Sequence, residues 1–255
     1  MFSWTDPRKR PVIVAHRGAS SVAPENTLAA FRRAIDGGAE AIELDVRLTK
    51  DGEVVVFHDA HLRRTTNGRG RVEEYALSEL MCLSAGSWFR RSFASEKIPT
   101  LSDVFELVEG RVGLNIEIKT TFHGRTQFDI VERCCTLIQQ HHAASHVLVS
   151  SFSHHHIRRM KRLLPHVTTG LLFHPLKHLG RSALRLAQQV RVEFMFFGGK
   201  TLRKHVVEQA HERKLHVGEY TVNTKRRLAR AERYGIDVVI TDDPARMILL
   251  RSQHK

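Results

Sequence analysis

Residues 41–46 read Ala-Ile-Glu-Leu-Asp-Val, and this short alternation of apolar and acidic residues is the best guide to the architecture. Side chains of a β-strand point to its two faces in turn, so a period of two is typical of a strand. Ile42, Leu44 and Val46 therefore share one face, while Glu43 and Asp45 share the other, about 7 Å apart along the strand. A continuous apolar face behind two carboxylates predicts a buried strand whose inner side carries polar chemistry.

Three other short apolar runs have ionisable residues on one face at their carboxyl ends. They are Val12–His16, Val54–His58 and Leu114–Lys119, in which Asn115, Glu117 and Lys119 lie opposite the aliphatic residues. In the first two runs, the histidine shares its face with the alternate valines. We therefore expect four strands to end with ionisable side chains on the same face.

Short apolar runs alternate with amphipathic stretches along the chain, and this βα order predicts a parallel sheet that is covered by helices. The amphipathic stretches, which repeat their apolar residues with a helical period, are 27–35, 101–108, 128–140, 154–164, 202–213 and 224–234. About eight strands in one chain favour an α/β fold closed as a TIM (β/α)8 barrel over an open doubly wound sheet. No Gly-x-Gly-x-x-Gly motif follows the first strand, which argues against a dinucleotide-binding fold.

One segment interrupts the alternation of strands and helices. Residues 59–97 contain turn residues such as Asn67-Gly68 and no long periodic pattern. Segments of this kind are typically lids or small insertions. We therefore expect a single domain over residues 1–255, with a small insertion at 59–97 after an early strand.

The composition is that of a globular protein with a basic surface. The 255 residues are 42% hydrophobic and 26% charged, and 40 Lys and Arg against 27 Asp and Glu give a net charge of +13. This excludes intrinsic disorder and makes a phosphate-bearing partner a reasonable expectation. The basic residues occur in dispersed short runs such as Arg63-Arg64 and Lys225–Arg227, whereas nucleic-acid binders usually concentrate them on one face. We predict a solvated basic surface and no nucleic-acid partner, with weak association with an anionic membrane as the minority interpretation.

The cysteines and the amino-terminal residues predict a cytoplasmic protein. Of the 3 cysteines, Cys134 and Cys135 are adjacent, which is a poor basis for a disulfide framework. No apolar run approaches the roughly 20 residues that span a bilayer, and the first residues lack the apolar stretch of a secretory signal. We expect a reducing compartment and no stable insertion into a membrane.

Carboxylates at neighbouring strand ends indicate a metal site. Catalytic groups of a (β/α) barrel lie at the carboxyl ends of its strands, so Glu43, Asp45 and Glu117 would meet at one mouth. Three carboxylates repel one another unless they are neutralised, and a hard cation with oxygen ligands, Mg²⁺ or Ca²⁺, would neutralise them. Arg17 and Lys119 would add positive charge beside the ion, and together these groups suit a phosphate oxygen.

Two histidines complete the predicted site. A histidine titrates near neutrality, so His16 and His58 could supply one general acid and one general base. Hydrolysis of a phosphodiester needs both, because the nucleophile loses a proton and the leaving alkoxide gains one. The residues leave open which histidine has which role, and whether water attacks directly or a cyclic phosphate forms first.

These residues and their flanking motifs resemble the glycerophosphodiester phosphodiesterase family. The main motifs are His16-Arg17-Gly18, Pro24-Glu25-Asn26-Thr27, Glu43-Leu44-Asp45-Val46, Val55-Val56-Phe57-His58-Asp59, Glu117-Ile118-Lys119, Thr221-Val222-Asn223 and Thr241-Asp242-Asp243-Pro244. The resemblance runs from about residue 11 to 246. It implies a TIM barrel with a small insertion and an enzyme that uses a divalent metal. Such an enzyme cleaves glycerophosphodiesters, for example glycerophosphocholine or glycerophosphoethanolamine, to sn-glycerol 3-phosphate and an alcohol.

The resemblance also implies roles for individual residues. His16 and His58 would be the acid–base pair, Glu43, Asp45 and Glu117 the metal ligands, and Arg17 and Lys119 the phosphate-binding residues. Phe152 and Tyr220 would be core aromatics or a wall for the substrate, and Tyr220 stands where the family usually has Trp. Glu25 and Asn26 would either begin the first helix or support the site from behind. Asp242 would either cap the final turn or brace the site.

Two alternatives differ in substrate or in kind. Trp88, Phe89 and Phe93 in the insertion, with the basic surface, would suit a lysophospholipase D-like phosphodiesterase that acts on membrane lysophospholipids. A non-enzymatic binder of nucleic acid or of an anionic surface would use the net charge on an inert barrel. A comparison of product release from glycerophosphocholine with release from micellar lysophosphatidylcholine distinguishes the first alternative from a glycerophosphodiesterase. Salt-sensitive binding that survives the loss of His16 would identify the second.

Overall fold

Eight parallel strands close into a barrel within the part of the chain that the computed structural model describes, residues 2–4, 11–120, 129–174, 178, 182–199 and 202–253. The strands in chain order are β1 (Val12–His16), β2 (Ala41–Leu48), β3 (Val54–Val56), β4 (Gly113–Ile118), β5 (Val147–Ser151), β6 (Thr168–Phe173), β7 (Phe194–Gly198), β8 (His216–Tyr220) and β9 (Val238–Thr241). The sheet order is β1-β9-β8-β7-β6-β5-β4-β2, and pairing of β1 with β2 closes it. The predicted TIM barrel is confirmed.

Helices follow the barrel strands and cover the outside of the sheet. They are α1 (Leu28–Asp36), α2 (Leu77–Leu80), α3 (Leu101–Val108), α4 (Ile130–Gln140), α5 (His154–Leu163), α6 (Ala183–Val190), α7 (Lys204–Glu212), α8 (Lys225–Tyr234) and α9 (Pro244–Ser252). Side chains of Thr27, Asp129 and Thr224 accept hydrogen bonds from backbone N–H groups in the first turns, which fixes where these helices begin. The six predicted helices are confirmed within two residues at each described end, while α2, α6 and α9 were not predicted.

The alternation in β2 separates an outer apolar layer from a polar interior. The aliphatic residues at the even positions of this strand, Leu44 among them, pack outward with Phe31 of α1 and Val104 of α3. Glu43 and Asp45 therefore face the barrel axis, as the period of two predicts. Deeper in the barrel, Phe194 and Phe196 fill the interior beneath the polar layer. The core thus supports the carboxylates from below and leaves them at the carboxyl end of the strands.

The third strand differs from the prediction. We expected 54–58 to present His58 on the same face as Val54 and Val56, but β3 ends at Val56 and runs antiparallel to β2, outside the barrel. The reason is a tight hairpin at 49–53, in which the Thr49 N–H donates to the carbonyl of residue 53 over 3.0 Å. The backbone N–H of residue 57 then donates to the Asp45 carbonyl over 2.8 Å, so the chain returns to β2 and brings His58 beside it.

The insertion after β3 has a small core of its own. Leu62, Val72 and Leu80 are buried together with Ile98 and with Phe57. The segment consists of 3-10 turns, the short helix α2 and connecting loops. The predicted small insertion after an early strand is thus confirmed, whereas its bounds at 59–97 and the assignment of 1–255 to one domain stay predictions.

The described helices and the three cysteines also bear on the sequence patterns of membrane spans and disulfides. None of them is long and apolar enough to cross a lipid bilayer. Cys82, Cys134 and Cys135 are free thiols, and the last two are buried on α4.

Candidate active site

Strand register brings three carboxylates together at the carboxyl end of the barrel. His16 of β1 pairs in register with Glu43 of β2, and Asp45 of β2 pairs with Glu117 of β4. One oxygen from each of the three carboxylates lies within 4.8 Å of the others. The carboxylates are almost fully buried, with 4%, 1% and 6% of the residue surface exposed. Convergence of these residues, which the sequence predicted, is therefore a feature of the fold.

Asp45 is the best compensated of the three carboxylates. Its Oδ1 lies 2.7 Å from Lys119 Nζ, and its Oδ2 lies 3.2 Å from Arg17 Nε. The side-chain amide of Asn26 also donates to Oδ2 over 2.8 Å. Burial alone would raise the pKa of Asp45, but Lys119 and Arg17 hold that pKa well below its usual range. Asp45 is therefore ionised at neutral pH.

The negative charges of Glu43 and Glu117 are less well compensated by neighbouring cations and hydrogen-bond donors. Burial, followed by the charge of Asp45, raises the pKa of Glu43 to about 8. Its Oε2 accepts the backbone N–H of Arg17 over 3.0 Å. Burial also raises the pKa of Glu117, although Lys119 Nζ lies 2.5 Å from its Oε1. Three buried carboxylates thus share two side-chain cations.

This donor set fits a hard divalent cation. All three side chains offer only carboxylate oxygens, which both Mg²⁺ and Ca²⁺ accept. The excess of carboxylates over cations is the condition that a bound dication would relieve. The residues that the sequence singled out, Glu43, Asp45 and Glu117, therefore fit a divalent metal ion.

His16 is oriented by a carboxylate from the last strand. Its Nδ1 lies 2.6 Å from Asp242 Oδ1, and Asp242 Oδ2 accepts from the amide of Asn223 over 2.5 Å. An ionised carboxylate can only accept, so Nδ1 carries the proton and Nε2 is left for the cavity, 4.0 Å from Glu43. Burial lowers the pKa of His16, but Asp242 and Glu43 raise it more. Asp243, and not Asp242, caps α9, so Asp242 braces the site.

His58 has a matching partner on the insertion side. Its Nδ1 lies 2.6 Å from Asp59 Oδ1, so its Nε2 also remains for the cavity. The His58 carbonyl accepts two bonds from the buried Arg47 guanidinium, at 3.0 and 2.8 Å. Burial lowers the pKa of His58, against the opposing charge of Asp45. Both histidines are therefore held through Nδ1 by a carboxylate.

An ion-pair network joins the insertion to the loop after β1. Arg64 donates to Asp59 over 2.6 Å and to both oxygens of Glu25 over 2.7 Å. Glu25 also accepts from Arg17 over 2.7 Å. Arg64 remains exposed, as the predicted solvated surface expects, but its guanidinium is also paired with acidic partners distant in sequence.

The loop between β1 and α1 needs an unusual backbone. Arg17 and Asn26 both have a φ of 56°, and Gly18 has a φ of 83°. A Cβ on Gly18 would lie 2.6 Å from the Ala30 carbonyl carbon, so glycine lets the loop rest on α1. Thr27 caps α1, so the interpretation of Glu25 and Asn26 as its first residues is wrong. Both side chains point instead to charged groups of the site.

A cavity of about 430 Å³ opens above these residues. Eight of the predicted site residues line it: His16, Arg17, Glu43, His58, Glu117, Lys119, Phe152 and Tyr220. Phe152 and Tyr220 are half-buried and form an apolar part of the wall with Leu172 and Ile240. Among the described residues, the buried atoms Asn115 Oδ1 and Ser150 Oγ line the cavity without a hydrogen-bond partner.

Sequence reasoning missed four residues that hold the predicted ones in place: Arg47, Asp59, Arg64 and Asn223. Asp59 had a signal, because it directly follows His58 in a quoted motif. Asn223 also lay in a quoted motif, but its bond to Asp242 crosses between two loops. Arg47 and Arg64 had no local signal, since their partners depend on how the hairpin and the insertion fold back.

Comparison with protein families and curated proteins gives a consistent result. Residues 16–246 match the model described as the glycerophosphoryl diester phosphodiesterase family. A glycerophosphodiester phosphodiesterase of Caldanaerobacter subterraneus subsp. tengcongensis is 40% identical over 244 residues, which cover 94% of this chain and 98% of that protein. Another from Bacillus altitudinis is 34% identical over 245 residues, 95% of this chain and 99% of that protein.

Solved structures resemble the chain over nearly its full length. A phosphodiesterase of Oleispira antarctica, in complex with the product sn-glycerol-3-phosphate, superposes with a TM-score of 0.86 at 28% identity and covers 95% of this chain and 97% of that one. A glycerophosphodiester phosphodiesterase from Agrobacterium tumefaciens gives a TM-score of 0.81 at 26% identity, with 98% and 100% covered.

Proposed function

The chain belongs to the glycerophosphoryl diester phosphodiesterase family, a family of enzymes, and from this premise we propose that it hydrolyses glycerophosphodiesters to sn-glycerol 3-phosphate and an alcohol. Glycerophosphocholine and glycerophosphoethanolamine are the proposed substrates. The observation that carries the proposal is a buried trio of carboxylates in one cavity with two carboxylate-held histidines. Family membership removes the reason to propose a non-enzymatic binder.

We assign the charged groups of the cavity to the phosphate. A divalent cation held by Glu43, Asp45 and Glu117 would offset the negative charge of a phosphate oxygen. Arg17 and Lys119 line the same cavity and both contact Asp45, so their remaining N–H groups would bind the other phosphate oxygens. Glu25 supports Arg17 from the side away from Asp45, and Asn26 supports Asp45 directly.

The two histidines would move the protons. One Nε2 accepts the proton of the attacking hydroxyl as the new P–O bond forms. The other donates a proton to the alcohol oxygen as its P–O bond breaks. Asp242 and Asp59 would keep each ring in the tautomer that leaves Nε2 for the cavity.

The uncharged part of the cavity would hold the glycerol and the alcohol group. Phe152 and Tyr220 supply apolar surface for carbon atoms. The unpartnered Asn115 and Ser150 side chains can bind hydroxyl groups, which are the polar groups of glycerol. A hydroxylated alcohol phosphate therefore fits the lining better than a purely apolar ligand.

The test is an assay that couples released glycerol 3-phosphate to a dehydrogenase, run on both glycerophosphodiesters. We expect turnover that stops with a chelator and returns with Mg²⁺ or Ca²⁺, whichever the protein prefers. Full turnover in metal-free protein would contradict the metal assignment. Release of no glycerol 3-phosphate under any metal condition would contradict the proposed activity.

A second candidate substrate is a lysophospholipid at a membrane surface. Trp88 is 40% exposed on the insertion, and the neighbouring Arg90 and Arg91 are exposed too. Tryptophan beside arginine is suited to the boundary between lipid and water. Faster release from micellar lysophosphatidylcholine than from glycerophosphocholine would favour this substrate. The cytoplasmic location and the weak membrane association stay predictions.

A further inference from the structure

A second, basic groove adjoins the active-site cavity. It runs from the loop after β8 along one side of α8, and its described lining contains four arginines and no carboxylate. Arg226, Arg230 and Arg233 are spaced as i, i+4 and i+7, so they form one stripe about 10 Å long on the helix. Arg227 lies next to the stripe at the amino-terminal end of the helix. The prediction of a merely solvated run at Lys225–Arg227 does not account for this arrangement.

The cations in the first turn of α8 are in an electrostatically unfavourable position, whereas Arg233 lies in the last turn, where the helix dipole favours a cation. The amino-terminal end of a helix is the positive end of its dipole and favours acidic side chains. The first turn of α8 holds no acidic residue and begins with Lys225, Arg226 and Arg227. An anion bound at this end would relieve the accumulated positive charge.

Two of the four arginines of the groove are held by other groups of the protein, and two are not. Arg230 pairs with the fully buried carboxylate of Glu219 and donates to the Gly199 carbonyl over 3.1 Å. Arg227 donates to the Thr221 carbonyl. Among the described residues, the side chains of Arg226 and Arg233 have no hydrogen-bond or ion-pair partner. The groove therefore combines two positioned guanidinium groups with two that are available to a ligand.

The groove is continuous with the active site. Thr221 lines both the groove and the catalytic cavity. Asn223 lines the groove and donates to Asp242, which holds His16. The loop concerned follows the seventh strand of the barrel, counted without β3, where barrels of this type often bind phosphate. A ligand that extends from the cavity past Thr221 would enter the groove.

We propose that this groove binds a phosphate group carried by the alcohol half of the substrate. The inference rests on the proposed function and adds a preference, among its substrates, for glycerophosphodiesters whose alcohol bears a second phosphate. Guanidinium groups bind phosphate oxygens with matched geometry, and a groove with two available arginines beside two positioned ones suits an anionic phosphate. Choline and ethanolamine carry positive charge and gain nothing there.

The test compares two substrates in three proteins. The substrates are bis(glycerophospho)glycerol, in which the alcohol of either diester carries a phosphate, and glycerophosphocholine. The proteins are the parent, the double variant Arg226→Gln/Arg233→Gln, and the control Arg158→Gln/Arg162→Gln. The control removes the same charge from exposed positions on α5. The measured quantity is kcat/KM for bis(glycerophospho)glycerol divided by kcat/KM for glycerophosphocholine. We expect the double variant to lower this ratio about tenfold, through a higher KM for bis(glycerophospho)glycerol, and the control to lower it less than twofold.

Each outcome decides a separate question. An unchanged ratio in the double variant, with normal thermal unfolding, overturns the groove assignment while leaving the activity intact. An equal fall of the ratio in the control makes the effect one of net charge and also overturns it. Loss of sedimentation with anionic phosphatidylglycerol vesicles in the double variant, at unchanged ratio, would make the groove a lipid contact instead. No glycerol 3-phosphate from either substrate in the parent is a failure of the proposed function.

Discussion

His16 and His58 show the same local geometry but are held by different kinds of structure. Each ring has a carboxylate at 2.6 Å from Nδ1. His16 stands at the end of a barrel strand, and Asp242 follows the neighbouring strand β9. His58 follows a hairpin outside the barrel, and ion pairs of the insertion surround its partner. Strand pairing thus fixes one half of the candidate site, while side-chain contacts fix the other.

The largest effect should come from removing either ring. We expect His16→Ala and His58→Ala each to lower kcat by about 10²- to 10⁴-fold, because each deletes one proton-transfer group. Both variants should keep the circular dichroism spectrum of the parent, since neither histidine belongs to the apolar core. The coupled glycerol 3-phosphate assay measures the change. A variant with full activity would show that its histidine lies outside the chemistry.

The two orienting carboxylates should differ in importance. In Asp242→Asn the new NH₂ group must face one of two other donors, His16 Nδ1 or the side-chain NH₂ of Asn223. The Asn223 amide cannot turn to relieve this clash, because its Oδ1 accepts hydrogen bonds from Thr241 and from the backbone N–H of residue 242. In Asp59→Asn the partner can swing away, because Arg64 is 46% exposed on its side chain. We expect kcat to fall on the order of 100-fold in the first variant and about tenfold in the second.

Steady-state kinetics on glycerophosphocholine check this order. The KM should change little in both variants, because neither carboxylate lines the cavity. Equal losses in the two variants would mean that the insertion holds His58 as firmly as the barrel holds His16. A larger loss in Asp59→Asn would reverse the comparison.

A smaller effect should follow from cutting the network that ties the insertion to the barrel. Arg64→Gln removes the bonds to Glu25 and Asp59, whereas Arg63→Gln changes an exposed neighbour. We expect Arg64→Gln to lower kcat a few-fold and the free energy of unfolding by about 1 kcal/mol or less, because the pairs are partly solvated. Limited proteolysis should cut the insertion faster in this variant. Arg63→Gln should resemble the parent in all three measurements.

The same division explains how much the sequence could predict. The barrel half follows from local rules, since a period of two turns Glu43 and Asp45 inward and parallel register sets Glu117 beside them. The position of the insertion half depends on which parts of the barrel the chain contacts after the hairpin and the insertion. The bond from Arg64 to Glu25 joins residues 39 positions apart, and nothing in either neighbourhood predicts it. The sequence pattern singles out His58 as the end of a strand, and this strand geometry is wrong because β3 ends at Val56, although the ring still reaches the cavity.

The weakest expected signal is a dependence of stability on acid pH that is confined to the insertion half. Burial would raise the pKa of Asp59, but hydrogen bonds from Arg64 and His58 lower it to about 2, below the usual 3.8. A carboxyl with a lowered pKa in the folded state stabilises the fold above its unfolded pKa, and this contribution is lost as the pH falls through the folded pKa. The amide in the Asp59→Asn variant does not titrate, so the excess stability of the parent over this variant should shrink between about pH 5 and pH 2.5.

Urea unfolding of both proteins at several pH values in this window measures the difference. Asp51→Asn is a matched control, because the lowered pKa of Asp51 arises at a different place, from Thr49 and backbone N–H groups despite an opposing burial effect. In the double variant Asp59→Asn/Arg64→Gln, the second change should reduce the acid dependence further, because Arg64 also holds the pKa of Glu25 below its usual value against the opposing effect of burial. An excess stability that stays constant across the window would mean that Arg64 does not hold Asp59 ionised. The insertion would then be fixed by its small apolar core rather than by the ion pairs that join it to the barrel half.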